Sequence, residues 1–516
     1  MQTAIIIYEK FFKKIGFSWN FLIVIVFFTL LLSCRVSTYY DITDYGAKGD
    51  STTICTNYIQ KTIDIASRTG GVVVIPKGKY LIGTLFLKSN VTLKLDNGAV
   101  LQGIKNLKEY TPTIKRDTLN KDLNTYHLLV MDSVENVNII GLGTIDGLCN
   151  AFWEPHADPY RFIKPKEIRV SPMIEIYRSK NICIEQITIQ NSAGWTLHLK
   201  QCENVKIDKI KIVNNMLGPN TDGIDINGCK DVFVSNCNIR TGDDAIVLKS
   251  SYNSDTCQNI MVTNCLLETN CVAMKLGTES FFNFRNVSFS NIVVKNCTRV
   301  FSLLCLDGAT MENIQVTNIT AETNAGWILN RVVEINANKR NENSKPGNIK
   351  NISIKNIRVK TDGRILIGAA NGCKISNISI ADVYLEYALL DDPHPIGTNA
   401  ENDIFFFKNL PFVRGTRSAI VAENVENLRI SEVDIVWCTY PLDTNWILLK
   451  HEVTWGNSNY DLWQKPNIIT GVYKPVFQVF AGKNITKGKI DIRGTSSSDG
   501  TTNPTLLNNC NVLFVN

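Results

Sequence analysis

A nine-residue phrase recurs nine times between residues 181 and 427, and it leaves few architectures open to the chain. An asparagine (once an aspartate) is followed by an apolar, a variable and an apolar residue, then two polar residues, then two more alternating apolar positions. It reads Asn181-Ile182-Cys183-Ile184 with Ile187 and Ile189, and returns from Asn204, Asp231, Asn259, Asn286, Asn313, Asn351, Asn377 and Asn427. Starts between residues 181 and 313 lie 23 to 28 residues apart, a period of solenoids. The period-2 runs of Ile and Val read as short strands. No unit holds a stretch of roughly ten residues with helical period, which sets aside leucine-rich and helical repeats. Short strands at this period fit an all-β, right-handed parallel β-helix, whose coils stack at about 4.8 Å. A single coil cannot bury its apolar face alone, so stacking supplies the core. The recurring asparagine is either a bend residue or a rung that hydrogen-bonds its neighbours along the stack.

A solenoid makes one domain of a length that would otherwise allow several. Residues 34–516 read as a single β-helix domain, with a cap and first coils over about 38–110, central coils over about 111–440, and a C-terminal cap or extension over about 441–516. Cys55, Ile59, Ile63 and Ala66 have helical spacing before a Gly70-Gly71 stop, so a short amphipathic helix is predicted to cover the open N-terminal end. Beyond residue 440 the phrase fades into a segment with Trp446, Trp455 and Trp463.

Residues 1–33 read as an export leader. Lys10, Lys13 and Lys14 precede an apolar run from Phe21 to Leu32, and that run is short for a spanning helix, which needs about 20 apolar residues. Leu31-Leu32-Ser33-Cys34 resembles a bacterial lipobox, which makes Cys34 the lipidated first residue of an exported, outer-membrane-anchored protein; an ordinary secretory signal and a single membrane anchor are the alternatives. Either face of that membrane fits. The lipid anchor is the expected membrane contact. The formal charge of +6 is small for 516 residues and no long Lys/Arg run is present, so nucleic acid is not an expected partner. Fifteen cysteines without a CxxC pair read as small core hydrophobes rather than a disulfide framework.

Two phrases carry chemistry: Asn220-Thr221-Asp222-Gly223-Ile224-Asp225 and Thr241-Gly242-Asp243-Asp244-Ala245. Asp222 and Asp243 are 21 residues apart, about one coil, which brings Asp222, Asp243 and Asp244 together on one lateral face. Crowded carboxylates separate their pKa values and so suit acid–base work. One protonates a leaving glycosidic oxygen and another activates water; an inverting pair stands roughly 6.5–9.5 Å apart. Turn-stabilising aspartates and a calcium site are the competing uses of the same residues.

These phrases resemble the NTDG and GDD motifs of glycoside hydrolase family 28, the polygalacturonases and rhamnogalacturonan hydrolases. Further segments are similar to that family: Asp44-Tyr45-Gly46-Ala47-Lys48-Gly49-Asp50, the run Val72 to Leu101, Gly143-Thr144-Ile145-Asp146-Gly147, and Gly194-Trp195-Thr196-Leu197-His198. The resemblance implies Asp243 as general acid, with Asp222 and Asp244 holding the nucleophilic water. It also points to Asn220, Trp195, His198, Lys249 and Glu279, the last within Gly277-Thr278-Glu279, as substrate-binding candidates. Two departures stand out. The family's GHG histidine falls near Cys271, and its RIK cations fall at Ser302-Leu303-Leu304. Their loss implies either a neutral sugar beside the scissile bond or a replacement cation, for which Lys275 and Arg285 are the candidates.

The expectation is therefore a monomeric hydrolase of an acidic, pectin-like polysaccharide, with a rhamnogalacturonan or mixed uronide as first choice and no metal or other cofactor required. A polysaccharide lyase on the same fold and a non-catalytic glycan-binding β-helix are the competing readings.

Overall fold

The protein is described by a computed structural model over residues 38–114, 123–155, 162–323, 331–361, 363–387, 407, 409–416, 418–437, 478–497 and 513–515. The leader with Cys34, and Trp446, Trp455 and Trp463, lie outside the described residues. No described helix is long and apolar enough to cross a membrane.

The chain winds into a right-handed parallel β-helix. A coil contributes three strands, and each pairs in parallel with its counterpart one coil on. Leu197–Lys200 stacks on Ile224–Asn227, Glu203–Asp208 on Lys230–Ser235, and Lys211–Val213 on Asn238–Thr241. Three parallel sheets result. The repeat phrase explains the core. Ile182 and Ile184, Val205 and Ile207, Val232 and Val234, and Ile260 and Val262 point inward and are buried. Residues between them, such as Lys206 and Met261, point outward. Each such side chain contributes roughly 1.5–3 kcal/mol on burial, repeated coil after coil.

The asparagine serves both of its expected roles. At Asn181, Asn204, Asn259, Asn286, Asn313, Asn351, Asn377 and Asn427 the backbone is left-handed, with φ between 54° and 58°. Asn and Asp tolerate this region better than other residues with a side chain. The same side chains form a ladder: Asn286 donates to Asn259 at 3.0 Å, Asn313 to Asn286 at 3.3 Å, and Asn351 to Asn313 at 3.2 Å. A second ladder runs through Asp208, Asn236, Asn264, Asn291, Asn318 and Asn356 at the next bend. Asn286→Ala loses two rungs and strains a left-handed residue, so it should destabilise the protein by about 2 kcal/mol. Asn286→Gly keeps the backbone at ease and should lose about half of that in urea unfolding. Equal losses would mean the φ angle is unimportant.

The predicted cap is present as α1 (Thr56–Thr69), which buries Ile59, Thr62, Ile63 and Ala66 and ends at Gly70 with φ +75°. At the other end, stacking continues past residue 440. Gln478–Thr486 and Lys489–Ser497 add to the strand Ser418–Trp437. The phrase is disguised there because Lys487, at φ +56°, takes the asparagine position and Gly488 the apolar one. The twelve described cysteines are free thiols, ten of them buried, as expected of core hydrophobes.

Candidate active site

The strands that matter lie in one sheet: β1 (Ile174–Tyr177), β2 (Leu197–Lys200), β3 (Ile224–Asn227), β4 (Ile246–Ser250), β5 (Val272–Ser280), β6 (Arg299–Cys305) and β7 (Arg331–Ala337). Their register aligns Glu175, His198, Asp225, Val247, Lys275, Ser302 and Glu334 in one column across the coils. All of these positions but Val247 carry charged or polar side chains, although each column member from Glu175 to Glu334 other than Lys275 is buried.

The 21-residue spacing returns the chain as the sequence implied. In the turns before β3 and β4, Gly223 N–H donates to Asp244 O at 2.9 Å, and Gly242 N–H donates to Thr221 Oγ1 at 3.0 Å. A Cβ on Gly223 would fall 2.4 Å from Ala245 O, so the close approach of the two turns requires glycine. Asn220, at φ +52°, accepts from Arg169 at 2.9 Å, and the same guanidinium binds Pro219 O and Ala193 O. Arg169 fixes the turn that presents Asp222; no motif marked it in the sequence.

The turns and the strands they lead into gather five carboxylates, Asp222, Asp225, Asp243, Asp244 and Glu279, and two ammoniums. Lys249 Nζ lies 3.5 Å from Asp222 Oδ2, 3.3 Å from Asp225 Oδ1 and 3.9 Å from Glu279 Oε2. The approach to Asp225 is an ion pair without hydrogen-bond alignment, and Asp222 Oδ1 and Asp225 Oδ2 meet no donor among the described residues. Lys275 Nζ donates to Asp244 Oδ2 at 2.6 Å. Asp243, Asp244 and the Cys271 thiol bring one ligand atom each within 4.8 Å of one another. Asp222, Asp225 and Asp244 are buried, whereas Asp243 is partly exposed.

Burial and crowding set the protonation. Burial, together with the charges of Asp225 and Asp243, pushes Asp222 well above the carboxylate range. Burial also raises Asp225 to about 6, against the opposing pull of Lys249. Asp243 rises to about 6, through burial and the neighbouring Asp244 charge. For Asp244, burial pulls upward but the Lys275 and Lys249 ammoniums more than offset it, and its carboxyl falls below the ordinary range. Lys249 is likewise held charged: burial works to lower its pKa, and Asp225, Asp222 and Glu279 outweigh that. The result is a partly exposed acid next to an ionised carboxylate. Two ammoniums already neutralise part of this cluster, which disfavours a divalent cation at Asp243, Asp244 and Cys271.

Trp195 and His198 lie beneath the cluster. Lys249 Nζ stands 3.9 Å over the Trp195 ring, and Trp195 meets His198 edge-on at 5.2 Å. Asn227 Oδ1 accepts from Ser251 N–H at 3.1 Å while Asn227 Nδ2 donates to Ser251 Oγ at 2.7 Å. That turns Nδ2 toward His198 Nε2 at 3.3 Å. Nε2 therefore accepts, and Nδ1–H donates to Glu175 at 2.7 Å. Both rings are buried; they support Lys249 from below. Glu175 and Asp225 were not singled out as site residues from sequence, although Asp225 closes the first aspartate phrase.

Of the candidate cations, Lys275 is committed to Asp244, and Arg285 is on another sheet, bonded to Gln258 at 2.9 Å. Arg285 is therefore no replacement cation. Beyond Lys275 the column continues with Ser302 and then Glu334, which pairs with Arg299 at 3.1 Å.

Residues 66–402 match the family model of Glycosyl hydrolases family 28. The chain belongs to glycosyl hydrolase family 28. Among curated relatives, a probable polygalacturonase of Vitis vinifera is 28% identical over 51% of this chain and 56% of its own length. An exo-poly-alpha-D-galacturonosidase of Dickeya chrysanthemi is 27% identical over 49% of this chain and 50% of its own. The chain thus spans about half the length of the curated relatives it matches. A solved exopolygalacturonase from Thermotoga maritima superposes with a TM-score of 0.56 at 25% identity, covering 68% of this chain and 87% of that one. Within the family-matched segment lie all four aspartates, both lysines and the Cys271 and Ser302 departures.

Proposed function

We propose that this family 28 chain is a glycoside hydrolase acting on an acidic, pectin-like polysaccharide, with Asp243 as general acid and Asp244 with Asp222 holding the attacking water. The observation that carries this is the split in protonation across one face. Asp243 is partly exposed and raised to about 6, while Asp244 is kept ionised by Lys275 at 2.6 Å. A proton donor and an ionised carboxylate on one face supply the acid and base sides of glycosidic hydrolysis, with Asp222 on the neighbouring coil leaving room for the water. A water between neighbouring coils attacks the anomeric carbon as the bond to the leaving oxygen breaks. Asp243 delivers its proton to that oxygen, and the carboxylate side takes the proton of the water.

For the substrate, Lys275 is already neutralised by Asp244, and Ser302 cannot bind a carboxylate as a cation does. A uronate beside the scissile bond would leave a poorly paired charge in a buried site. A neutral sugar on the leaving side fits these residues, so a rhamnogalacturonan or mixed uronide is the proposed polymer and plain polygalacturonate a poor substrate. A reducing-end assay over these polymers should show release only from the mixed ones, with inverted anomeric configuration in the first-formed product by proton NMR. Fast cleavage of plain polygalacturonate would overturn the substrate proposal. Product ends with the ultraviolet absorbance of an unsaturated uronide would replace hydrolysis with a lyase reaction.

The pH dependence follows from the acid. The acid must carry its proton and Asp244 must be ionised, so kcat/KM should fall above about pH 6, where Asp243 ionises, and fall again only in strong acid, where Asp244, held below the ordinary carboxylate range, takes up a proton. A rate that instead rises through pH 6 would remove Asp243 from the acid role.

A further inference from the structure

Next to the charged cluster, three aromatic rings stand in solvent on firmly anchored backbone. Tyr252 follows β4 by two residues and is 64% exposed; Phe281 and Phe282 follow β5 directly and are 37% and 38% exposed. β4 carries Lys249 and β5 carries Glu279, so the rings leave the same two strands just past the cluster. Tyr252 and Phe281 meet edge to face, with centroids 5.7 Å apart.

The residues on both sides of Tyr252 are held by buried polar side chains. Asn227 binds Ser251 through both its amide atoms, and Lys200 donates to Asn253 Oδ1 at 2.6 Å. Phe281 N–H donates to Ser250 O at 2.9 Å and Phe282 N–H to Ser250 Oγ at 2.6 Å. Burying one such ring would stabilise the protein by roughly 1.5–3 kcal/mol. Here three are kept outward on anchored backbone, two of them in edge-to-face contact, which is how a preformed contact surface is built.

We propose that Tyr252, Phe281 and Phe282 form a stacking platform for a pyranose ring of the glycan chain, one flanking the sugar cleaved at Asp243. One face of a pyranose presents polarised C–H groups and matches the negative face of an aromatic ring, while its hydroxyls stay at the wet rim. The inference rests on the hydrolase reading above for its choice of ligand.

The test separates the two. In the full-length chain made inactive by Asp243→Asn, binding of rhamnogalacturonan oligosaccharides and of polygalacturonate is measured by calorimetry, with and without Tyr252→Ala and Phe281→Ala together. Two lost stacking contacts should weaken binding of the preferred glycan about tenfold. Tyr252→Trp should keep it. Because the rings are exposed, thermal melting should confirm that the double variant is folded. Unchanged affinity in the folded double variant overturns the platform, even if the wild type hydrolyses the glycan. Unchanged glycan affinity with loss of self-association in ultracentrifugation reassigns the patch to a protein contact. If the parent binds neither glycan and the wild type cleaves neither, the hydrolase reading and the platform fall together.

Discussion

Asp243→Asn should lower turnover of the cleaved polymer by about 10²–10⁴-fold, the usual contribution of a positioned general acid, in a protein that stays folded. The asparagine has nearly the same shape and keeps an oxygen able to accept the Asp244 N–H, the 2.8 Å bond that Asp243 makes now. It cannot donate a proton to a leaving oxygen. Removing a carboxyl raised by burial and by Asp244 also relieves crowding, so the variant should be at least as stable as the wild type near pH 7. Activity lost with stability kept is the signature. The fall in kcat/KM above about pH 6 should disappear with it, because the group responsible is gone. Near-normal turnover in a folded Asp243→Asn protein would transfer the acid role to another member of the cluster, with Asp222, also pushed upward, next in line.

Much of this site was legible in the sequence because a solenoid turns spacing into geometry. A 21-residue interval between Asp222 and Asp243 means one coil, and the bond from Gly223 to Asp244 is that statement in structure. The asparagine ladder was legible for the same reason, since its residues share one azimuth. What stayed hidden depends on contacts between coils of unequal length. Glu175 and Asp225 lie 50 residues apart, yet both adjoin His198. Arg169 reaches the Asn220 turn over 51 residues. Lys275, readable as an outward lysine or a ligand for a uronate, proved to be the counter-ion of Asp244. A strand pattern tells which face a side chain takes; it does not tell which carboxylate on the next coil it will meet. Arg285 was misplaced because its strand, Phe284–Asn296, belongs to a different sheet from β4 and β5. The late coils went unread because Lys487 and Gly488 break the phrase without breaking the fold.

Lys249→Met should be the most damaging single change in the cluster for stability, about 3–5 kcal/mol near pH 7 in denaturant unfolding. Removing one partner of a buried ion pair leaves the opposite charge uncompensated, and that cost falls in this range. Lys249 faces three carboxylates at 3.3–3.9 Å and also covers the Trp195 ring, so methionine replaces the packing but not the charge. The pH dependence identifies the cause. Asp222 and Asp225 already sit above their unfolded values, and loss of the ammonium moves them further up. A carboxyl raised in the folded state favours folding below its unfolded pKa, near 4, and that stability is lost as pH rises through the folded value. The deficit of the variant should therefore be widest at pH 7 and above and shrink toward pH 4, as Asp222 and Asp225 take up protons. Adding Asp225→Asn removes one of the stranded charges and should return part of the lost stability, a coupling that a double-mutant cycle measures directly. A deficit below about 1 kcal/mol without pH dependence would mean that Asp222 and Asp225 are both already neutral at pH 7, and that Lys249 is there to meet a negative charge brought by the substrate.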